Sequence, residues 1–228
     1  MTDKPKVSFV VPTKNRVEWL AECLSGLLCQ TVKEIEVVVV NDGSTDGTKE
    51  FLDDFWSKYE NIKIIHNPVS VGGGMSRNIG MEAASADIIG VCDDDDVYPL
   101  ERASKILEFF EKHKEGCMMN PPYVHVDYFN TIIERFDGKS FDYEAFKKGE
   151  EVYFCNPGAA YLKKDMQEIG GYPSESVLGT DDIQMLKKWV DSGKKVTYYP
   201  PNYLCMHRVL PDSMMVKFRG FDPNWNSK

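Results

Sequence analysis

The sequence predicts an α/β protein whose first half is a parallel sheet of βαβ units, and three observations carry that class. Four short apolar runs, at residues 7–11, 35–40, 62–65 and 87–92, alternate with segments of helical period. The second run, Ile35 and Val37 to Val40, shows no polar alternation, the pattern of a strand covered by helices on both faces. Short links between them require right-handed crossovers, the build of a nucleotide-binding half-domain. At 228 residues and 42% hydrophobic content, the chain is long enough to fill a sizeable core.

The first strand, from Val7 to Val11, is β-branched and aromatic and stops at Pro12, which cannot donate to a sheet ladder. From Arg16 the residues Val17, Leu20, Leu24, Leu27 and Leu28 fall on one helical face, predicting a helix to about Cys29. Ile35 and Val37 to Val40 form the second strand, ended by Asn41-Asp42-Gly43. Ser44-Thr45-Asp46 offers capping side chains for a second helix, whose apolar stripe is Phe51, Leu52, Phe55, Trp56 and Tyr59. Ile62 to Ile65 is a third strand, Gly72-Gly73-Gly74 opens a short helix with Met75, Ile79 and Met81, and Asp87 to Cys92 is the fourth strand. Pro99 to Glu115 reads as a helix with Leu100, Ala103, Leu107 and Phe110 inward.

Residues 117–162 lack a clean period and hold aromatic-rich segments, predicting an antiparallel addition. A turn at Gly170-Gly171-Tyr172-Pro173, a helix from Asp181 to Ser192 and a strand at Lys195 to Tyr199 complete the order, and the tail from Val209 reads as mobile.

Composition excludes several classes. A formal charge of -9 opposes routine binding of nucleic acid or anionic lipid. The six cysteines show no C-x-x-C spacing and read as free thiols of a reducing compartment. No apolar run approaches membrane-spanning length, and the short polar lead has no signal-peptide core, so a cytosolic protein is expected.

One stretch concentrates charge: Asp93-Asp94-Asp95-Asp96 follows the buried fourth strand directly. Two carboxylates about 4 Å apart repel by roughly 4 kcal/mol at an effective dielectric near 20, so the cluster needs a counter-charge. A divalent cation is the simplest, and oxygen ligands suit Mn²⁺, Mg²⁺ or Ca²⁺; Mg²⁺ is commonly shared with the phosphates of a substrate. An acidic run can also be a solvated loop. Its position beyond the carboxyl end of a strand, where open α/β sheets bind ligands, favours the site.

Taken together, the acid cluster, Val11-Pro12-Thr13-Lys14-Asn15-Arg16, Val40-Asn41-Asp42-Gly43-Ser44-Thr45-Asp46-Gly47-Thr48 and Ser76-Arg77-Asn78-Ile79-Gly80 resemble the inverting family-two glycosyltransferases of the GT-A fold. The resemblance covers the chain from Lys6 to about Ser213. It implies one GT-A domain over 1–228, with 1–96 the nucleotide-sugar half and 97–228 the acceptor-binding and catalytic half. It further implies sugar transfer from a nucleotide-sugar donor with Mn²⁺ or Mg²⁺ on the diphosphate, to a hydroxyl acceptor that the sequence does not name.

By the same match, Pro12 and Thr13 lie against the nucleotide, Arg16 and Arg77 join the donor-binding set, and Asp42 accepts from the base, which favours uracil and hence a UDP-sugar. Asp42 before Gly43 is equally a turn former, and Arg77 a helix-surface charge. Asp93 matches the ribose-facing acid and Asp95 the metal ligand, with Asp94 between them also in the nucleotide-sugar-binding set; Asp94-x-Asp96 is the alternative register. Asp182, in Gly179-Thr180-Asp181-Asp182, matches the general base that takes the acceptor's proton. Thr180 can also be an N-cap with two acids in the first turn, where the helix dipole favours negative charge. His207 matches a metal-completing histidine, Arg208 offers a phosphate-facing charge, and Lys217 and Arg219 lie on a tail that could close over the donor.

Rival enzymes on similar sheets lack their signatures here: there is no G-x-G-x-x-G after the first strand and no G-x-x-x-x-G-K-[ST]. A non-catalytic module binding nucleotide sugars or glycans remains the other reading. Gln184 to Trp189 does not reproduce the Q-x-x-R-W element of processive synthases, so addition of single sugars is expected.

Overall fold

A computed structural model describes residues 4–113, 115–150, 152–174, 180–200 and 202–210. Gly179 and the tail residues Lys217 and Arg219 lie outside the described residues.

The first half folds as the periodicity dictates. Strands β1 (Val7–Thr13), β2 (Ile35–Asn41), β3 (Ile62–His66) and β4 (Ile88–Val91) alternate with helices α1 (Val17–Leu28), α2 (Thr48–Phe51) and α3 (Gly73–Ala83). All neighbouring pairs among these strands are parallel, and Thr13 stands opposite Asn41 at the shared carboxyl edge. Alternate residues feed opposite faces, as the strand period requires. Phe9, Val11, Val37 and Val39 pack beneath Leu20, Leu24 and Leu27 of α1. Val10, Val38, Val40 and Ile89 pack against Met81 of α3 on the other face.

The second helix departs from expectation. After one α-turn the chain widens into a π-helical turn over Leu52–Trp56, and Phe55 and Tyr59 face solvent rather than the sheet. Asp46 caps from outside by accepting the Thr48 N–H at 3.1 Å. Helix α4 (Arg102–Lys112) begins three residues later than Pro99. Its buried face is therefore Ala103, Ile106, Phe109 and Phe110 with the Arg102 guanidinium, while Leu100 is 47% exposed and Leu107 only half-buried.

Strands β5 (Cys117–Asn120), β6 (Tyr123–Val126), β7 (Ile132–Phe136), β8 (Ala160–Leu162), β9 (Lys195–Tyr198) and β10 (Met206–Arg208) come from the second half, with α5 (Tyr143–Lys147), α6 (Lys163–Glu168) and α7 (Asp181–Asp191). The main sheet runs β3-β2-β1-β4-β8-β5-β9, so one seven-stranded sheet passes through both halves of the chain. Only β8 opposes its neighbours; β5 and β9 pair in parallel. The expected antiparallel addition is thus one strand in this sheet plus the β6–β7 hairpin of a small second sheet, β10-β6-β7. Val97 bridges Met206, which sets β10 beside the acid cluster. All six cysteines are free thiols, four of them buried.

Candidate active site

The acid cluster sits where β4 runs out at the carboxyl edge, one residue after Cys92 N–H donates to the Val10 carbonyl at 3.1 Å. Beneath it lies a buried cation that the sequence did not advertise. Arg102 donates to the Val91 and Leu204 carbonyls at 2.5 and 3.2 Å, with Tyr98 packed 4.3 Å from its guanidinium carbon. The Tyr98 hydroxyl accepts the Asp93 N–H at 2.7 Å. These contacts pin the backbone of the cluster.

The four acids then divide by environment. Asp96 is turned inward: its carboxylate accepts the Arg208 N–H at 2.9 Å and the Cys205 thiol at 3.3 Å, and burial drives its pKa well above the usual carboxylate range. Asp94 is also buried, and burial together with the charge of Asp95 lifts it to about 7 against the opposing pull of Arg16 and Thr13. Asp93 and Asp95 remain partly accessible, and each meets an arginine. Arg77 donates to Asp93 at 2.5 Å, and Arg16 pairs with Asp95. Burial raises Asp95 while Arg16 opposes it. The reachable carboxylates are therefore Asp93 and Asp95, and Asp96 is not one of them. Arg16 and Arg77, expected on the donor, supply in this state the counter-charge that the sequence argument sought from a cation.

Asp42, at the end of β2, is buried and accepts four hydrogen bonds: Asn67 Nδ2 at 2.9 Å, Val71 N–H at 2.8 Å, Ser70 Oγ at 2.6 Å and Gly72 N–H at 3.0 Å. Its own N–H donates to the Thr13 carbonyl at 2.8 Å, joining it to the end of β1, which runs through Pro12 to Thr13 rather than stopping at Pro12. Burial alone would raise its pKa, but these donors outweigh it and hold the group at about 2, against 3.8 when unpaired. A folded pKa below the unfolded one stabilises at pH above the unfolded value and is lost as pH falls through the folded value. The full difference corresponds to about 2 kcal/mol. Urea midpoints should accordingly show wild type losing about 1 kcal/mol from this group between pH 5 and pH 3, a component that Asp42→Asn lacks.

Arg77 also reaches the other half of the site. The same guanidinium donates to Asp181 at 3.1 Å and lies 5.6 Å from the Tyr172 ring centroid. Asn78, the next residue of α3, donates to the Tyr172 carbonyl and accepts the Tyr172 N–H, both at 2.9 Å. That close approach explains Gly171: its φ is +65°, and a Cβ there would stand 2.4 Å from Asn78 Oδ1. Helix α7 is thereby brought with Asp181 against the cluster and half-buried Asp182 beside it. Thr180 occupies the N-cap position, but its hydroxyl accepts from the Gln184 side chain at 2.9 Å instead of capping a backbone N–H.

His207 lies on β10, half-buried, directly opposite His125 of β6, with their ring centroids 5.3 Å apart. Its imidazole and the Asp95 carboxylate share one electrostatic neighbourhood. Arg208, offered by the sequence as a phosphate-facing charge, has its donors engaged within the fold. It is buried, donating to the Asp95 carbonyl at 2.8 Å, the Tyr128 carbonyl at 3.1 Å and Glu22 at 2.6 Å, above the Trp19 ring. Among the described residues no three metal-ligating side chains converge into a ready-made cage. Asp95 and His207 give an oxygen and a nitrogen donor, which fits a cation that completes its shell with phosphate oxygens and water. Arg102, Tyr98, Asn78 and Glu22 are the structural members that sequence reasoning missed. Arg102, Asn78 and Glu22 act through partners about a hundred residues away or more, and Tyr98 through the Asp93 backbone, and neither kind of contact leaves a local motif.

Comparison with known proteins bears on the family and the fold. The family profile described as Glycosyl transferase family 2 matches residues 8–170. The "Uncharacterized glycosyltransferase EpsJ" of Bacillus subtilis is 35% identical over 118 residues, half of this chain and 33% of that protein. The "Glycosyltransferase AglE" of Haloferax volcanii is 28% identical over 204 residues, 85% of this chain and 64% of that protein. The chain thus spans from about a third to under two thirds of these relatives' lengths. Among solved structures, S. aureus TarS in complex with UDP-GlcNAc superposes with a TM-score of 0.75 at 20% identity, covering 92% of this chain and 60% of that one. The mainly parallel seven-stranded sheet with its smaller companion is therefore the GT-A fold. No helix among the described residues is long and apolar enough to cross a membrane. With the profile covering well over half of its length, the chain belongs to glycosyl transferase family 2.

Proposed function

We propose that the chain transfers a single sugar, with inversion, from a UDP-sugar to an acceptor hydroxyl in the cytosol. The observation that carries this reading is the pair Asp93 and Asp95, accessible at the carboxyl edge of the sheet and each balanced by an arginine. Such an arrangement accepts a diphosphate and its cation with little net change in charge. The complex of TarS with UDP-GlcNAc supports a UDP-sugar as donor.

In this reading Asp95 and His207 hold Mn²⁺ or Mg²⁺, Asp93 faces the ribose, and the Pro12–Thr13 end of β1 with Asp42 forms the wall of the base site. When bound, the metal supplies Lewis-acid stabilisation to the departing diphosphate. Asp42 already accepts four donors, so a fifth from a base requires one of the loop contacts at Asn67, Ser70, Val71 or Gly72 to yield. Asp182, at the start of α7, takes the acceptor's proton on the face opposite the leaving group.

The test is a melting-temperature series with nucleoside diphosphates and UDP-sugars, with and without Mn²⁺. At a hundredfold excess over Kd a bound ligand stabilises by about 2.7 kcal/mol. UDP with Mn²⁺ should stabilise the chain, and chelation or Asp95→Asn should remove most of the gain. No stabilisation by any nucleotide would reject the reading, and binding without turnover of a labelled UDP-sugar would leave a non-catalytic binding module.

A further inference from the structure

The turn between β6 and β7 carries two outward rings on a loop tied down from several sides. Phe129 is 81% exposed and Tyr128 56%, their ring centroids 5.2 Å apart. Beneath them the backbone is fixed. Asp127 accepts the Phe129 and Thr131 N–H groups at 2.9 and 2.8 Å, and Asn130, at φ 63°, donates its side-chain amide to Glu22 at 2.7 Å. Trp19 meets the Tyr128 ring edge-on at 4.8 Å. The same turn is wired to the candidate site, because one Arg208 guanidinium holds both the Tyr128 and the Asp95 carbonyls.

We infer that this turn is the platform on which a neutral sugar ring of the acceptor stacks, an inference that rests on the transferase reading above. A sugar ring presents an apolar C–H face and a rim of hydroxyls. The aromatic faces suit the first, and the part-exposed carboxylate of Glu22, bonded to Asn130 of the turn, suits the second. That acid, in a chain of net charge -9, opposes a nucleic acid or an anionic lipid surface at the same place. Large rings left in water on a pre-formed loop bind with little ordering cost, which is the condition for a recognition surface rather than for a core. The shared Arg208 guanidinium sets the backbone of the turn beside that of the acid cluster.

The experiment is an NMR titration of the full chain, ¹³C-labelled in its Phe and Tyr rings, with maltotetraose, cellotetraose and chitotetraose, each with and without Mn²⁺ and UDP. At least one oligosaccharide should shift the Tyr128 and Phe129 rings. Phe129→Ala should weaken that binding by about tenfold, equivalent to about 1.4 kcal/mol, with UDP affinity and melting temperature unchanged. No shift at either ring with any of the three, or shifts confined to other rings, would overturn the inference. So would capture by phosphatidylcholine vesicles that Phe129→Ala abolishes, since that marks a lipid surface. A melting temperature several degrees lower in Phe129→Ala would show the ring covered by another part of the chain, with the same consequence. Failure of UDP to bind, with the oligosaccharide shifts intact, would reject the donor reading and leave the platform standing.

Discussion

Asp182→Asn is expected to lower the turnover of sugar transfer by about 10³-fold, within the 10²–10⁴ range of a positioned acid or base, while UDP affinity stays as in the wild type. The substitution keeps the shape of the side chain and an oxygen able to accept the Ile183 N–H, which Asp182 holds at 2.8 Å. What it removes is the proton acceptor, together with one negative charge in the first turn of α7, worth about 0.3–1 kcal/mol. The helix start should therefore survive, and circular dichroism melts should show a small loss of stability beside the large loss of turnover. Asp181→Asn is the informative companion, because Asp181 is bonded to Arg77 at 3.1 Å and its loss reaches the donor side of the site. That variant should lose stability as well as rate. If Asp182→Asn loses UDP binding in parallel with turnover, or keeps its turnover, Asp182 is not the base.

The contrast between the two aspartates reflects what a sequence can and cannot convey. The parallel half was legible because unbroken apolar runs such as Val37–Val40 admit few other fates, and Asp93 could be placed at the ligand edge because it follows such a run. The register within the cluster was not. It depends on Asp96 meeting Arg208 and Cys205, more than a hundred residues later, through the bridge of Val97 to Met206. For the same reason Arg208 looked like a phosphate ligand: its sequence neighbours say nothing of Glu22 or Trp19. The face of α4 was misread because Leu100 and Leu107 fit a helix started at Pro99 as well as Ile106 and Phe109 fit one started at Arg102. The start is decided by the tertiary demand to bury the Arg102 guanidinium under Val91 and Leu204. Local period thus fixed which segments are helices, while long-range polar contacts fixed which way they turn.

Arg77→Met should be the most damaging single change to stability among the site residues. The wild-type guanidinium is largely buried and is shared between Asp93 at 2.5 Å and Asp181 at 3.1 Å, carboxylates contributed by opposite halves of the chain. Methionine retains much of the apolar stem against Tyr172 but leaves both acids without their cation. Removing one partner of a buried pair costs about 3–5 kcal/mol, and residual solvent access at Asp93 and Asp181 points to the lower end. A urea midpoint shifted by about 3 kcal/mol at pH 7 is the expected reading. The cause can be separated from mere repacking by a double-mutant cycle, since groups in direct contact do not behave additively. Adding Asp93→Asn to Arg77→Met should recover part of the loss, because one of the stranded charges is then gone, whereas Asp93→Asn alone should destabilise. Additive effects would mean that the arginine is held by packing against Tyr172 and that the two halves of the site are not joined through its charge.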